Sequence, residues 1–257
     1  MSTNKNSSPL SESASASPFW QYLQTQETAF FSQKLTGIPC TTVLQIGLSQ
    51  WRLADRLPRS TQAIYQNSLP NGKPDVCAHA TALPWQTHSI DVVCLPHGMD
   101  NQTHVSEILQ EIYRILPPGG HLLLTGLNPL GYWRFNQSAL EFSGCLKKRF
   151  RIANTPTGKL YRAQTARQLL AATGFTVTEG QFMAYAPPFL KQPFQQKWEL
   201  AGNRWWPHLG AVYGLVAVKR SVTLIPDESL VKKLASDWEL QLTTAGRFRQ
   251  PGTQNTQ

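Results

Sequence analysis

The chain has 257 residues, of which 41% are hydrophobic and 15% charged, enough for one large domain with a substantial core. No apolar run is long enough to cross a bilayer, and the Ser-rich start from Met1 to Ser17 lacks the apolar stretch of a secretory signal, so the expected location is cytoplasmic and no membrane association is expected. The formal charge of +9 is scattered apart from Lys147, Lys148, Arg149 and Arg151, which keeps a nucleic-acid partner in view without favouring one.

In chain order, residues 1–17 are too polar and aperiodic to pack and are expected to form a disordered tail. Pro18 to Leu35 carries Phe19, Tyr22, Leu23, Gln26 and Phe30 at helical spacing behind a proline suited to a helix start. Thr42 to Gly47 is a short β-branched apolar run ending in glycine. A helical stretch is expected from Trp51 to Leu57, stopped by Pro58. Strands follow at Thr61 to Tyr65, Asp75 to Ala78 and, most strongly, Ser89 to Leu95, with a Thr81 to Trp85 loop between the last two. Val105, Ile108, Leu109, Ile112, Tyr113 and Leu116 mark an amphipathic helix that runs into Pro117-Pro-Gly-Gly120 and then the strand His121 to Thr125. Residues 129–160 read as a long insertion holding the basic cluster. Thr165 can cap a helix from Ala166 to Thr173, closed by Gly174. Phe175 to Tyr185 and His208 to Lys219 read as two further strands joined by a Trp-rich connection. Past Ser221 the chain is polar and largely disordered by pattern, with a short helix at 228–240. Apolar strands alternating with helices imply an α/β fold whose parallel sheet is covered on both faces. One domain over 18–220 is expected, with 221–257 as an extension.

Cys40, Cys77, Cys94 and Cys145 show neither CxxC nor paired-His spacing, so no disulfide and no metal site is expected, and all four are read as small buried apolar side chains.

In an open parallel sheet ligands bind beyond the carboxyl ends of the strands, where strand order reverses. Three loops qualify: Gly47-Leu-Ser-Gln50, where glycine admits a close ligand and the following helix would offer free N–H groups; Pro96-His-Gly-Met-Asp100; and Gly126-Leu-Asn-Pro129. A dinucleotide oxidoreductase would require G-x-G-x-x-G and a ribose-binding acid about twenty residues later. The first loop has one glycine, and no Asp or Glu lies between Asp55 and Asp75, which disfavours that class.

The series Leu83-Pro-Trp85, Ser89-Ile-Asp-Val-Val93, Pro96-His97, Glu107 to Gly120 and Asn128-Pro129 resembles the middle and end of a class I S-adenosylmethionine-dependent methyltransferase of the type 11 kind, and Ala201 to Tyr213 leading into Val216-Ala-Val-Lys219 resembles a proteobacterial branch of that superfamily. The similarity covers about residues 40–220. It implies a Rossmann-like, doubly wound seven-stranded sheet, mostly parallel, whose last strand inserts antiparallel, with S-adenosyl-L-methionine over the first and fourth strands. Carried over by position, the family's acid and G-x-G-x-G fall on Gln45, Gly47, Ser49 and Trp51, with Leu48 between. The ribose acid falls near Tyr65, Gln66 or Asn67, and the adenine-reading Asp falls on His79 before Ala80. Leu95, Pro96 and His97 match the loop after the fourth strand. The cofactor-binding set implied by the resemblance is therefore Gln45, Gly47, Leu48, Ser49, His79, Ala80, Leu95, Pro96 and His97.

Methyl transfer is an in-line displacement in which orientation does most of the work, so a base is needed only when the acceptor carries a proton to lose. His97 is the candidate for a polar catalytic role, against a packing role for the same ring. Asn128 reads as a substrate-orienting residue or a turn, His79 as an adenine partner or a surface imidazole, Trp205 and Trp206 as a stacking wall or as core and rim, and Asp91 as a strand stabiliser. The reading favoured is methyl transfer to a small-molecule acceptor. The alternatives are a catalytically degenerate ligand- or protein-binding domain, and an RNA or DNA methyltransferase using the 147–151 cluster.

Overall fold

The computed structural model describes residues 18–55, 57, 60–70, 72–131, 133, 159–186 and 194–220. The expectations for 1–17, the 147–151 cluster, Cys145, the 228–240 helix and the extension at 221–257 lie outside these residues. Helix α1 (Pro18–Thr36) precedes strand β1 (Thr42–Ile46), followed by β2 (Gln62–Asn67), β3 (Val76–Cys77), β4 (Val92–Pro96), α2 (Val105–Ile115), β5 (His121–Leu127), α3 (Ala163–Thr173), β6 (Phe175–Met183), α4 (Phe194–Trp205) and β7 (Val212–Lys219). The strands form one sheet in the order β3-β2-β1-β4-β5-β7-β6. Strands β1 to β5 pair in parallel, and β7 lies antiparallel between β5 and β6. The order reverses between β1 and β4, which puts a crevice at their carboxyl ends.

The continuous apolar runs are explained by two covered faces. Val43, Val92, Cys94, Leu123 and Leu127 pack on one face with Phe19, Trp20, Leu23, Phe30 and Phe31 of α1. Leu44, Val93, Leu95, Leu122 and Leu124 face the other way, against Ile108, Leu109 and Ile112 of α2 and Ala166 and Leu170 of α3. Gly214 of β7 lets α1 sit close, because a Cβ there would lie 2.7 Å from the Phe30 ring.

Several elements differ from expectation. The Trp51–Leu57 helix does not form: among the described residues between β1 and β2 there is a single 3-10 turn, Ser49–Trp51. Leu48 and Arg52 on either side are left-handed (φ 44° and 43°), which interrupts the α-helical path twice. Helix α3 begins at Ala163 behind Arg162, so Thr165 lies inside it rather than capping it, while Gly174 closes it at φ 102° as expected. The Trp-rich connection contains a full helix, α4, and His208 sits in a 3-10 turn, Pro207–Leu209, ahead of β7. Cys94 is buried, Cys40 half-buried and Cys77 exposed, so burial fails for Cys77.

The segment that carried the resemblance works as a clamp. Glu111 of α2 accepts the Leu83 N–H (3.0 Å), and Arg114 donates to the carbonyls of Leu83 (3.0 Å) and Trp85 (2.8 Å). The Trp85 indole N–H donates to Gln66 Oε1 (2.7 Å), whose amide reaches the Ala78 carbonyl (3.3 Å). Asp91 accepts the N–H groups of Thr41 (2.8 Å) and Thr42 (3.0 Å) and the Thr41 hydroxyl, joining the starts of β4 and β1. Arg114→Leu removes the donors that hold the 83–85 loop, and urea unfolding should show a loss of about 1.5–3 kcal/mol.

Candidate functional site

A cleft of about 540 Å³ opens at the crevice, within the size range of small-molecule sites. Four strand ends supply its wall: Ile46, Gly47 and Leu48 after β1; Asn67, Ser68 and Leu69 after β2; His79, Ala80 and Thr81 after β3; and Leu95 to Gly98 at β4. Gln102, Thr103, His104 and Ile108 close it from α2 and the turn before it. Gly47 has φ 83°, and a Cβ there would have only the Pro96 carbonyl oxygen nearby, at 4.0 Å. The main chain is therefore bare where strand order reverses.

Of the residues expected around a cofactor, Gly47, Leu48, His79, Ala80, Leu95, Pro96 and His97 line this cleft. Gln45 and Ser49 do not; both are fully buried behind it. The Gln45 amide donates to the carbonyls of Gly47 (3.1 Å) and Leu48 (2.8 Å) and accepts the Leu53 N–H (3.0 Å). A carboxylate has no proton to give those two carbonyls, so a neutral amide suits the position where the resemblance implied an acid. Ser49 donates to the Gly72 carbonyl (3.2 Å). Trp51, in the place of a third glycine, is buried with its ring edge-on to His97 at 5.9 Å.

The three residues near the ribose position separate cleanly. The Tyr65 hydroxyl donates to Asp55 (2.6 Å), and burial raises its pKa. Gln66 is buried in the clamp, and only Asn67 reaches the cleft. Ser68, Leu69 and the 102–104 turn were missed in the sequence because no motif marks such residues at strand ends. His104 stands at the start of α2 with Nδ1 2.8 Å from Glu107 Oε1.

His97 is the pivot of a buried charge cluster. Its backbone is left-handed (φ 50°) and its N–H donates to the Thr125 carbonyl (3.0 Å). The ring has Nδ1 2.8 Å from Asp100 Oδ2 and Nε2 2.7 Å from Glu27 Oε1, with side-chain exposure of 2% or less at all three residues. Thr125 donates its hydroxyl to Glu27, and the Leu127 N–H donates to Asp100 (2.9 Å). Burial alone would discharge the imidazole. The Glu27 charge and the hydrogen bonds that the ring donates to both carboxylates outweigh it and raise its pKa to about 10. Burial pushes the Asp100 carboxyl up as well. With both ring nitrogens engaged, His97 has none to offer a substrate, so the geometry gives it the packing role and not that of a base.

Asn128 is likewise occupied. Its amide donates to the carbonyls of His208 (2.8 Å) and Gly210 (2.9 Å) and accepts the Leu130 N–H (3.0 Å), which makes it a turn residue joining β5 to the entry of β7. Trp205 and Trp206 lie outside the core, at 69% and 52% exposure. Among the described residues no group of three or more His, Cys, Asp or Glu could hold a metal ion.

Comparison with known proteins bears on this geometry. Residues 41–124 match the family described as "Methyltransferase domain". The chain is 35% identical over 66 residues to the "Ubiquinone/menaquinone biosynthesis C-methyltransferase UbiE" of Cereibacter sphaeroides, covering 24% of this chain and 26% of that one. It is 37% identical over 99 residues to the protein of the same name from Hahella chejuensis, covering 36% and 38%. The chain thus spans about a quarter to two-fifths of these relatives' length. In the solved structure of an S-adenosylmethionine-dependent methyltransferase from Thermotoga maritima, described as a possible histamine N-methyltransferase, the fold matches with a TM-score of 0.53 at 16% identity, over 78% of this chain and 93% of that one.

Two predictions arise here. Because His97 holds its proton longer in the folded chain than in the unfolded one, its contribution is fully present below pH 6.5 and is lost as pH rises through about 10. Urea unfolding at stepped pH should show stability falling across that window, and Glu27→Gln should flatten the fall while costing about 3–5 kcal/mol near neutrality. Gln45→Glu should lower stability by about 1–3 kcal/mol, because the loop carbonyls lose both donors; a melt equal to wild type would refute the role given to the amide.

Proposed function

We propose that this chain, whose residues 41–124 match a methyltransferase domain family, transfers a methyl group from S-adenosylmethionine to a small-molecule acceptor. The observation that carries the reading is the open cleft at the β1–β4 switch point, bare of side chain at Gly47. The residues present suit the cofactor. The Gly47 and Leu48 main chain would admit its amino-acid end, Asn67 and Ser68 would hydrogen-bond the ribose diol, and His79 and Ala80 would border the adenine, with apolar Leu69, Leu95 and Ile108 along the walls. When bound, the cofactor supplies an electrophilic methyl on a sulfonium.

The chain's own contribution is position. Gln45 fixes the carbonyls of the first loop, and the His97 cluster fixes the loop after β4, so the two lips of the cleft hold their spacing without solvent reorganisation. Holding reactants at attack distance can supply roughly 7–11 kcal/mol of the barrier, and the mechanism asks for no dedicated base unless the acceptor has a proton to lose. The names of the relatives support an acceptor of the lipophilic aromatic kind, a quinol-like ring rather than a nucleic acid.

Titration calorimetry with S-adenosylmethionine and with its demethylated product should give binding to both. Gly47→Val should weaken both at least about tenfold, since a branched side chain enters the cleft and a left-handed backbone costs it about 1–3 kcal/mol. No heat with the wild-type chain would assign the fold to a non-catalytic binding role. Unchanged affinity in Gly47→Val would place the cofactor elsewhere.

A further inference from the structure

Helix α4 is amphipathic the wrong way round. Phe194, Trp198, Ala201 and Trp205 recur at i, i+4, i+7 and i+11, the spacing of an apolar stripe on one face of a helix. Such a stripe ordinarily faces the core. Here Phe194 is 60% exposed, Trp198 46% and Trp205 69%, and the exposed Trp206 and Leu209 continue the patch past the end of the helix. The face turned to the protein is held by other means. Glu199 accepts the N–H groups of Tyr185 (2.8 Å) and Ala186 (3.0 Å), and Gly202 permits a contact so close that a Cβ would lie 2.3 Å from the Tyr185 ring. The sequence therefore puts its acid and its smallest residue inward and its aromatics outward.

The border of the stripe is basic. Lys197 and Arg204 are exposed and lie 5.9 Å from the ring centroids of Phe194 and Trp205, and Glu199, turned inward, is the helix's single acid. We propose that α4 and the turn after it dock the protein on an anionic lipid surface, with the tryptophans at headgroup level and Lys197 and Arg204 on the lipid phosphates. Tryptophan belongs at that depth, being apolar in body and polar at one edge, and a basic border complements an anionic leaflet. Pairing with a second copy would set Lys197 and Arg204 against like charges, in a chain that already carries +9. No described helix is long and apolar enough to cross a membrane, so the contact is a surface one.

The topology gives the docking a purpose. Strands β5 and β6 run in the same direction, and Leu127 and Met183 both pair with Val212, so the chain leaves β6 toward α4 at the sheet edge where β5 ends. That is the edge bearing the cleft. A lipid-dissolved acceptor would then enter without crossing bulk water. This link to turnover rests on the function proposed above, whereas the docking rests on α4 alone.

The test is co-sedimentation of the full chain with vesicles of phosphatidylcholine and of phosphatidylcholine containing roughly one-third phosphatidylglycerol. Binding is expected to the anionic vesicles, weakened about tenfold or more both by Trp198→Ser with Trp205→Ser and by Lys197→Glu with Arg204→Glu. Both variants should melt as wild type and bind S-adenosylmethionine as wild type does. Absence of binding, or binding that both variants keep, would overturn the proposal. So would a concentration-dependent dimer in light scattering that the tryptophan variant abolishes. Vesicle binding without cofactor binding would sustain the docking and sink the enzymatic reading, so the two can fail separately.

Discussion

A salt-bridged histidine sealed from water holds this structure in register. Glu27 comes from the first helix, His97 and Asp100 from the loop after the fourth strand, and Thr125 from the fifth strand, so one cluster joins three parts of the chain. Buried ions cost several kcal/mol each to desolvate and repay it only when each is paired in good geometry. The arrangement therefore tolerates little displacement. The left-handed backbone of His97 belongs to the same constraint, because it turns the ring away from the cleft and into the two carboxylates while its main chain still lines the opening.

The loop after β1 follows from this cluster. Where the resemblance led to an expectation of glycine, Trp51 closes over the His97 ring from one side and Trp20 of α1 from another, both edge-on at 5.9 Å. A tryptophan that shields an ion pair cannot also be a glycine that cradles a ligand. Gln45, Ser49 and Trp51 thus serve one local arrangement. The amide satisfies inward-turned carbonyls, the serine fastens the turn to Gly72, and the indole dries the charge cluster, while Gly47 alone keeps its opening toward the cleft.

The fold was legible because its signals are repeated and local: apolar runs for strands covered on both faces, helical spacing from Val105 to Leu116, and glycine at 174 to end a helix. The resemblance in residues 83–133 added the antiparallel last strand. The failures have physical causes. The Trp51–Leu57 stretch has helical spacing, but two left-handed residues beside the 3-10 turn divert it, and no local pattern announces them. Helix α4 was hidden because its apolar stripe has no core to face, and its inward face carries a glutamate and a glycine. The two roles weighed for His97 could not be separated from the sequence, since Glu27 lies 70 residues away and nothing local marks it as a partner.

The N-terminal helix also has a bearing on how the chain is made. Its apolar face, with Phe19, Trp20, Leu23, Phe30 and Phe31, and its acid Glu27 precede in the sequence the groups that complete them, which are Thr125, the Ala186 N–H that donates to the Tyr22 hydroxyl, and Gly214. Until those late segments have been synthesised, the helix presents an oily stripe with an unpaired carboxylate in its middle. The carboxylate meets its partner only once the imidazole after the fourth strand has been made, so the pairing that locks the finished fold forms late.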